Sequence, residues 1–154
     1  MMLRIHPYSS ERRDDFRLLN EEWLRKYFTL EPLDIELLSQ PEQNIITPGG
    51  AVFFAELDGT IVGTVAMIPH GEHVFELGKM AVTEAVQGRG VGAALMERCI
   101  LFAEEKNARS IILYSNTMLA SAIHLYRKYG FVEIPLQKSG YVRTNIMMEK
   151  RLGP

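Results

Sequence analysis

The sequence predicts one mixed α/β domain, in which helices pack on the faces of a mixed sheet. In the first half, two β-rich runs are joined by Asp58-Gly59, a dipeptide that favours a two-residue hairpin and therefore antiparallel pairing. In the second half, strand-like runs alternate with helix-like segments, an order typical of strands connected through helices. The chain has 154 residues, enough for a single domain with its own core, and no repeat or linker divides it.

Seven strand-like runs and four helix-like segments follow one another along the chain. The β-rich or apolar runs are 3–8, 51–57, 60–68, 74–82, 110–115, 131–134 and 141–148. The segments with helical character are 11–28, 33–38, 90–107 and 118–129. The second helix is expected to end near Pro41 and the fourth at Gly130, because both residue types interrupt a helix.

Composition narrows the functional class. The net charge of −2 gives no basic surface for nucleic acid, and no apolar run approaches the roughly 20 residues that span a bilayer. The first residues lack the apolar stretch of a secretory signal. A single cysteine, Cys99, excludes an internal disulfide framework and suits a reducing compartment. We therefore expect a cytoplasmic protein without nucleic-acid or membrane partners.

A glycine-rich turn stands between the fourth strand and the third helix. Its residues are Gln87, Gly88, Arg89, Gly90, Val91 and Gly92. Three glycines in five positions leave the backbone N–H groups uncovered, directly before a helix start that carries unpaired N–H groups and a positive dipole end. Such a turn favours an anion, most often a phosphate. The sequence therefore predicts a phosphate-bearing cofactor.

Two other phosphate motifs fit this turn less well. Gly88, Gly90 and Ala93 match a loose dinucleotide fingerprint, but five residues separate the strand from the first glycine, and no acid lies between positions 108 and 117 to bind a ribose. The Gly-Lys-Ser/Thr ending of a P-loop is absent. A glycine-rich connection without any ligand remains the simpler alternative.

Several motifs in order resemble the GCN5-related N-acetyltransferase (GNAT) family. They are Glu-Leu-Gly-Lys-Met-Ala-Val at 76–82, Gln-x-x-Gly-x-Gly at 87–92, Asn116, and the segment 122–131 that contains Tyr126. The resemblance covers about 51–149. It implies acetyl-CoA as cofactor and a strongly twisted mixed sheet of six to seven strands, splayed at its centre and flanked by about four helices. It further implies a cofactor-binding core at about 74–131 and an acceptor-site region at about 9–50.

The resemblance also implies which residues bind coenzyme A. The turn from Gln87 to Gly92 would hold the pyrophosphate, with Arg89 either adding charge or standing solvated. The backbone of Met80, Ala81 and Val82 would pair with the amides of the pantetheine arm, as an added strand does. Asn116 is expected to bind the same arm or to cap the following helix. Ser121, in the first turns of that helix, is a weaker candidate.

Tyr126 and Glu76 are the catalytic candidates. A phenol with a pKa near 10 can donate a proton to a departing thiolate, the role that the resemblance gives Tyr126. An ammonium acceptor must lose a proton before it attacks, and many family members carry a carboxylate where Glu76 stands. Strand alternation predicts Glu76 on the same face as Gly78 and Met80. No His/Cys/Asp cluster has metal-ligand spacing, and the single Cys99 falls on the core stripe of the third helix, which disfavours a covalent acyl-cysteine. Direct attack within a ternary complex is therefore expected.

The acceptor site is the least determined part. Glu31, Asp34 and Glu36 either attract a cationic amine or form a solvated helical face, and Arg143 and Asn145 are expected on the final strand, facing the cleft. The leading interpretation is an N-acetyltransferase acting on the primary amine of a small molecule or peptide, with homodimerisation left open. The alternatives are a non-catalytic acyl-CoA sensor or regulatory module, and a structural interaction protein that binds no coenzyme A.

Overall fold

A computed structural model describes residues 2–153. The strands are β1 (Leu3–Pro7), β2 (Ala51–Leu57), β3 (Thr60–Pro69), β4 (Val74–Val82), β5 (Ser110–Ser115), β6 (Val132–Ile134) and β7 (Ile146–Arg151). The α-helices are α1 (Arg13–Tyr27), α2 (Pro32–Ser39), α3 (Val91–Glu105) and α4 (Ala120–Lys128). Short 3-10 turns precede α1 and α3, and a π-helical turn, Glu42–Ile46, follows α2. None of the helices in residues 2–153 is long and apolar enough to cross a membrane.

One seven-stranded sheet organises the molecule, in the order β1-β2-β3-β4-β5-β7-β6. Neighbouring strands run antiparallel except β4 and β5, which are parallel and are connected through α3. The β4–β5 ladder extends only over the pairs from Val74↔Ser110 to Glu76↔Ile112. Beyond Glu76 the two strands separate, so the sheet opens at its centre. The predicted mixed, centrally splayed fold is confirmed.

The β2–β3 hairpin forms where the sequence predicts it. Asp58 has a φ of 49° and Gly59 a φ of 88°, so both central residues of the turn are left-handed. This conformation gives the hairpin turn whose twist matches that of the strands it joins.

Two apolar cores fill the two faces of the sheet. On one face α3 packs against the central strands, where Phe53 and Phe75 contact Phe102 edge-on with centroid distances of 6.0 and 5.1 Å. On the other face α1 and α2 cover β2 and β3 through a cluster that includes Phe16 and Phe54. Because both faces are covered, the central strands are apolar throughout and not strictly alternating.

A β-bulge in β4 changes the predicted direction of one side chain. The ladder to β3 pairs Gly78 with Ala66 and Ala81 with Thr64, so β4 holds one residue more than its partner between these pairs. Lys79 has a φ of 53°, the left-handed conformation at the bulge. Glu76 and Gly78 share a face as predicted, but Met80 packs against the α3 side. The prediction that Met80 shares the face of Glu76 is wrong because alternation stops at the bulge.

The last strand begins at Ile146, five residues later than predicted. A turn precedes it: Gly140 has a φ of 88°, and the Ser139 hydroxyl accepts from the Tyr141 N–H at 3.0 Å. Arg143 and Asn145 therefore lie in the segment before β7, and the predicted strand placement of both is wrong. Arg143 of this segment contacts α2 and Asn145 contacts the β5–α4 loop, whereas the apolar Val142 is exposed.

Candidate active site

A cavity of about 790 Å³ occupies the opening between β4 and β5. Its walls come from α1, the outer half of β4, the glycine turn, the end of β5, α4 and the loop before β7. Of the predicted acceptor region, 9–50, only α1 and the adjoining Phe28 line it, with Asn20, Trp23, Leu24 and Tyr27. The cavity therefore lies at the separation of the two parallel strands, where backbone groups on both sides lack a ladder partner.

The glycine turn forms the rim of this cavity beside α3. Gly88 and Gly90 have φ values of 84° and 81°, and a Cβ added at either would meet no atom of residues 2–153 within 4 Å. Gly90 is the N-cap of α3, no side chain of the described residues caps that helix end, and its first turn contains no acidic residue. The N–H groups of Val91 and Gly92 thus face the cavity rim without helical acceptors. Bare N–H groups, open space and a positive dipole end are what a pyrophosphate requires.

The remaining turn residues differ in their position. Gln87 lines the cavity, and its side-chain amide donates to the Val82 carbonyl at 3.3 Å. Arg89 is exposed and lies outside the cavity lining. A Cβ added at Gly92 would lie 3.5 Å from Leu125 of α4, an ordinary van der Waals contact, so packing alone does not require a glycine there.

The free edge of β4 provides the second requirement of coenzyme A. From Leu77 onward β4 pairs with β3 on one side, while its other side faces the cavity without a β5 partner. Met80 and Val82 line the cavity, whereas the side chain of Ala81 is buried. An extended chain with two amides can hydrogen-bond to such an edge through backbone groups alone.

Asn116 and Ser121 lie on the opposite wall, and both line the cavity. The Asn116 amide donates to the Arg143 carbonyl at 2.7 Å and accepts from the Met118 N–H at 2.9 Å. Asn116 thereby fixes the turn before α4, but the N-cap of that helix is Leu119. The predicted capping role of Asn116 is wrong in this detail, because one further turn separates it from the helix.

Tyr126 projects from α4 into the cavity while its ring packs against Phe131, with centroids 6.1 Å apart. No group of residues 2–153 forms a hydrogen bond with the Tyr126 hydroxyl, and this hydroxyl is not completely buried. Burial raises the pKa of Tyr126 to about 12, so the hydroxyl keeps its proton at neutral pH. The arrangement suits a proton donor.

Glu76 stands where β4 and β5 begin to separate, and its side chain is 16% exposed. Burial raises its pKa to about 7, although the charge of Lys79 opposes this shift. His70 Nδ1 lies 3.7 Å from Glu76 Oε1. A carboxylate that titrates near neutrality can accept a proton and release it again at physiological pH.

A buried charge cluster closes the inner end of the cavity. Asp34 of α2 has no exposed area and receives Arg143 Nη1 at 2.7 Å, Arg143 Nη2 at 2.8 Å and the ammonium of Lys79. The ring of Tyr141 lies beneath both cations, with its centroid 4.5 Å from Lys79 Nζ and 4.3 Å from Arg143 Cζ. Glu31 accepts from the Val142 N–H at 2.8 Å and from Arg143 Nη1 at 3.3 Å.

The predicted acceptor residues separate into two groups. Arg143 lines the cavity, as expected, but from a turn. Glu31 and Asp34 bind Arg143 but lie outside the lining. They also form part of a helix capping box, with the Glu31 N–H donating to Asp34 at 2.8 Å. Asn145 is also outside the lining, and its side chain bonds to Thr117.

Sequence reasoning missed Lys79, Tyr114 and Tyr141, all of which line the cavity. Lys79 lies within the recognised 76–82 motif, and a second charged residue beside Glu76 in a mostly apolar strand was the available signal. Tyr141 gave no signal, because its position depends on the turn that Val142 and Arg143 attach to the distant Glu31.

Comparison with known proteins agrees with this geometry. A family profile described as the acetyltransferase (GNAT) domain matches residues 48–133. The N-acetylaspartate synthetase of Rattus norvegicus is 36% identical over 92 residues, which are 58% of this chain and 31% of that protein. The crystal structure of a GNAT-family acetyltransferase from Staphylococcus aureus Mu50 superposes with a TM-score of 0.89 at 22% identity, covering 99% of this chain and 100% of that one. The PaiA N-acetyltransferase of Thermoplasma acidophilum, solved with coenzyme A, superposes with a TM-score of 0.75 at 17% identity over 99% and 100% of the chains.

The fold, a mixed sheet splayed at its centre, is thus that of the superposed acetyltransferase structures. Since the profile covers more than half of the chain, this protein belongs to the GNAT family. The matched segments make up about a third to a half of the first curated relatives.

Proposed function

We propose that this protein is an N-acetyltransferase that moves an acetyl group from acetyl-CoA to the primary amine of a small molecule or peptide. One observation carries the proposal: the free edge of β4, the bare helix start at Gly90 and the Tyr126 hydroxyl line the same cavity. Membership of the GNAT family supports it.

The cofactor contacts follow from the chemistry of the walls. The N–H groups at Gly88, Gly90, Val91 and Gly92 would hold the pyrophosphate, and Gln87 would support the turn through its bond to Val82. The backbone of β4 from Met80 to Val82 would pair with the pantetheine arm, opposite Asn116 and Ser121. Arg89 is placed to add charge at the exposed rim. When bound, acetyl-CoA supplies an acetyl thioester at the inner end of the opening.

Two side chains would move protons. Glu76 takes a proton from the acceptor ammonium, directly or through water, and so exposes the nitrogen lone pair. The Tyr126 hydroxyl would donate its proton to the departing sulfur and would regain one, directly or through water, from the nitrogen as the amide forms. Cys99 is completely buried in the α3 core, so no thiol is available as an acyl carrier, and the amine attacks directly within a ternary complex. Much of the acceleration would come from holding both reactants in one cavity.

The test is acetyl-CoA binding by calorimetry, followed by release of the coenzyme A thiol with a panel of amines. Tyr126→Phe should lower kcat by at least tenfold with little change in acetyl-CoA affinity, because only the transferable proton is removed. Tyr129→Phe is the matched control, since the Tyr129 hydroxyl bonds to Glu97 outside the cavity.

Each alternative has its own outcome. Binding of acetyl-CoA without thiol release from any amine would indicate the non-catalytic sensor. Absence of binding would exclude both the enzyme and the sensor. Equal kcat values for wild type and Tyr126→Phe would remove Tyr126 from the mechanism.

A further inference from the structure

We propose that the amine acceptor carries a carboxylate, which binds to Lys79 and Arg143 at the inner end of the cavity while its amine approaches Glu76. The acceptor would then belong to the amino acids or to peptides that present a carboxylate near the amine. This inference rests on the proposed function, since it names the substrate class of the same cavity.

The two cations are held in front of their counter-ions. Lys79 and Arg143 line the cavity, with side chains 5% and 15% exposed, whereas Asp34 and Glu31 do not line it. Asp34 binds both cations from behind and also accepts from the Glu31 N–H. Glu31 in turn accepts from the Val142 N–H. A ligand in the cavity therefore meets the positive groups first.

Both cations retain hydrogen-bond donors. An ammonium has three N–H groups, and Lys79 donates to Asp34 alone among the described residues. The guanidinium of Arg143 uses Nη1 and Nη2 for Asp34 and Glu31, and its Nε has no acceptor in residues 2–153. A carboxylate offers two oxygens that accept such charge-assisted bonds.

The rest of the lining favours the same acceptor. Glu76 is the only acidic side chain among the described cavity residues, and its raised pKa leaves it partly protonated at neutral pH. A diamine or polyamine would find Glu76 as its one acidic partner in the described lining, and its second ammonium would meet the donor groups of Lys79 and Arg143, which cannot accept a hydrogen bond from it. An amino acid would place its ammonium at Glu76 and its carboxylate at the cations, with opposite charges facing each other at both ends.

The two binding points are close enough for one small molecule. Lys79 lies three residues after Glu76 on β4, and its charge acts on the pKa of Glu76. The Tyr141 ring fixes the position of both cations from below. Because a buried cation with fixed geometry needs little reorganisation on binding, the cluster is suited to select among acceptors.

The experiment compares matched acceptors at saturating acetyl-CoA. Glycine, alanine, aspartate and glutamate are each compared with the α-amide and with the amine that lacks the α-carboxylate. For at least one of these amino acids, we expect kcat/KM to be at least tenfold higher than for its α-amide and for the amine that lacks the α-carboxylate. Amides or simple amines that react equally well or better in every set would overturn the proposal.

Variants assign the effect to the cluster. Lys79→Met should reduce the preference for the carboxylate at least tenfold, raise KM more than it lowers kcat, and leave the acetyl-CoA Kd unchanged. Lys79→Arg should restore part of the preference. Lys138→Met is the control for the same substitution at an exposed position outside the cavity. An unchanged preference in folded Lys79→Met would contradict the assignment.

A measurement without turnover separates the two proposals. Calorimetry compares wild-type binding of N-acetyl amino acids with binding of their amides. If no amine releases thiol but the carboxylates bind at least tenfold more tightly, the proposed activity fails and the carboxylate site stands. Turnover of amines together with equal binding of acids and amides would overturn only the carboxylate site. This comparison also applies if Lys79→Met does not fold.

Discussion

Asp34 and Arg143 are separated by 109 positions in the chain and form a bidentate ion pair, with N–O distances of 2.7 and 2.8 Å. The pair joins α2 to the turn before β7, across the inner end of the cavity. Lys79 of β4 binds the same carboxylate. Three distant segments are therefore fixed by one buried aspartate.

Removal of the Asp34 carboxylate should destabilise the protein strongly. Asp34→Ala leaves Lys79 without its ion-pair partner and Arg143 with Glu31 alone, and breaking a buried pair in this way costs about 3–5 kcal/mol. Denaturant unfolding followed by circular dichroism measures this loss. Asp14→Ala is the control, because Asp14 is exposed and its ion pair with Arg17 is worth less than about 1 kcal/mol. Similar losses in the two variants would contradict the buried pair.

Asp34 should also make the protein sensitive to acid. Burial alone would raise the pKa of this carboxyl, but the hydrogen bond from Arg143 and the charge of Lys79 outweigh burial and lower it. A lowered pKa gives stability that is present above the unfolded-state value and is lost as the pH falls through the folded-state value. Asp34→Asn should therefore be less stable at pH 7 and show a flatter decline of stability below about pH 4. An equally steep acid transition in the variant would assign the effect to other carboxylates.

A side chain at Gly90 should weaken the binding of acetyl-CoA to the glycine turn. Gly90→Ala and Gly59→Ala both place a Cβ at a positive φ, 81° and 88°, in open space. Each should cost about 1–2 kcal/mol of stability from backbone strain. Only Gly90→Ala should weaken acetyl-CoA binding, by at least tenfold in calorimetry. Equal affinity in both variants would place the pyrophosphate elsewhere.

Activity should depend on the ionisation of Glu76. Because burial raises its pKa to about 7, kcat/KM should fall about tenfold per pH unit below this value. Glu76→Gln should abolish this acidic limb of the pH profile and lower kcat/KM by about 10²–10⁴-fold. The exposed Glu72→Gln is the control and should keep the wild-type profile. Persistence of the limb in Glu76→Gln would identify another base.

The same substitution should stabilise the folded protein. A raised carboxyl pKa means that the folded state loses stability as the pH rises from the unfolded value through about 7. Glu76→Gln should therefore gain up to about 3 kcal/mol at pH 8 and little near pH 4. Denaturant midpoints at both pH values test this. A gain of equal size at both would show that charge is not its cause.

Cys99 should be inert in the folded protein. It is completely buried in the α3 core, and burial raises the pKa of its thiol far above the usual range. A disulfide exchange reagent should detect no protein thiol under native conditions and one per chain after denaturation. Fast native reaction would show that the α3 core opens readily.

Local patterns were sufficient for most elements. The bounds of β2, β4 and β5 agree with the predicted runs, because apolar β-branched residues and flanking turn residues act within a few positions. Asp58-Gly59 determines its hairpin through backbone preferences alone. The glycine turn before α3 is local in the same sense, so its place in the fold was predictable.

The start of β7 was not predictable, because residues 141–145 alternate like a strand while Val142 and Arg143 are held by partners more than a hundred positions earlier. The bulge at Lys79 likewise depends on the β3 register.

By itself, therefore, the sequence determined the order of strands and helices, the mixed sheet and the glycine turn, since these follow from interactions between near neighbours. Only the tertiary structure decided that Asp34 and Glu31 lie behind Lys79 and Arg143, and that the cavity presents cations where acids were expected. The physical reason is that burial, counter-ion contact and the pKa of Glu76 depend on residues that only folding brings together. These residues come from α1, α2, β4 and the turn before β7.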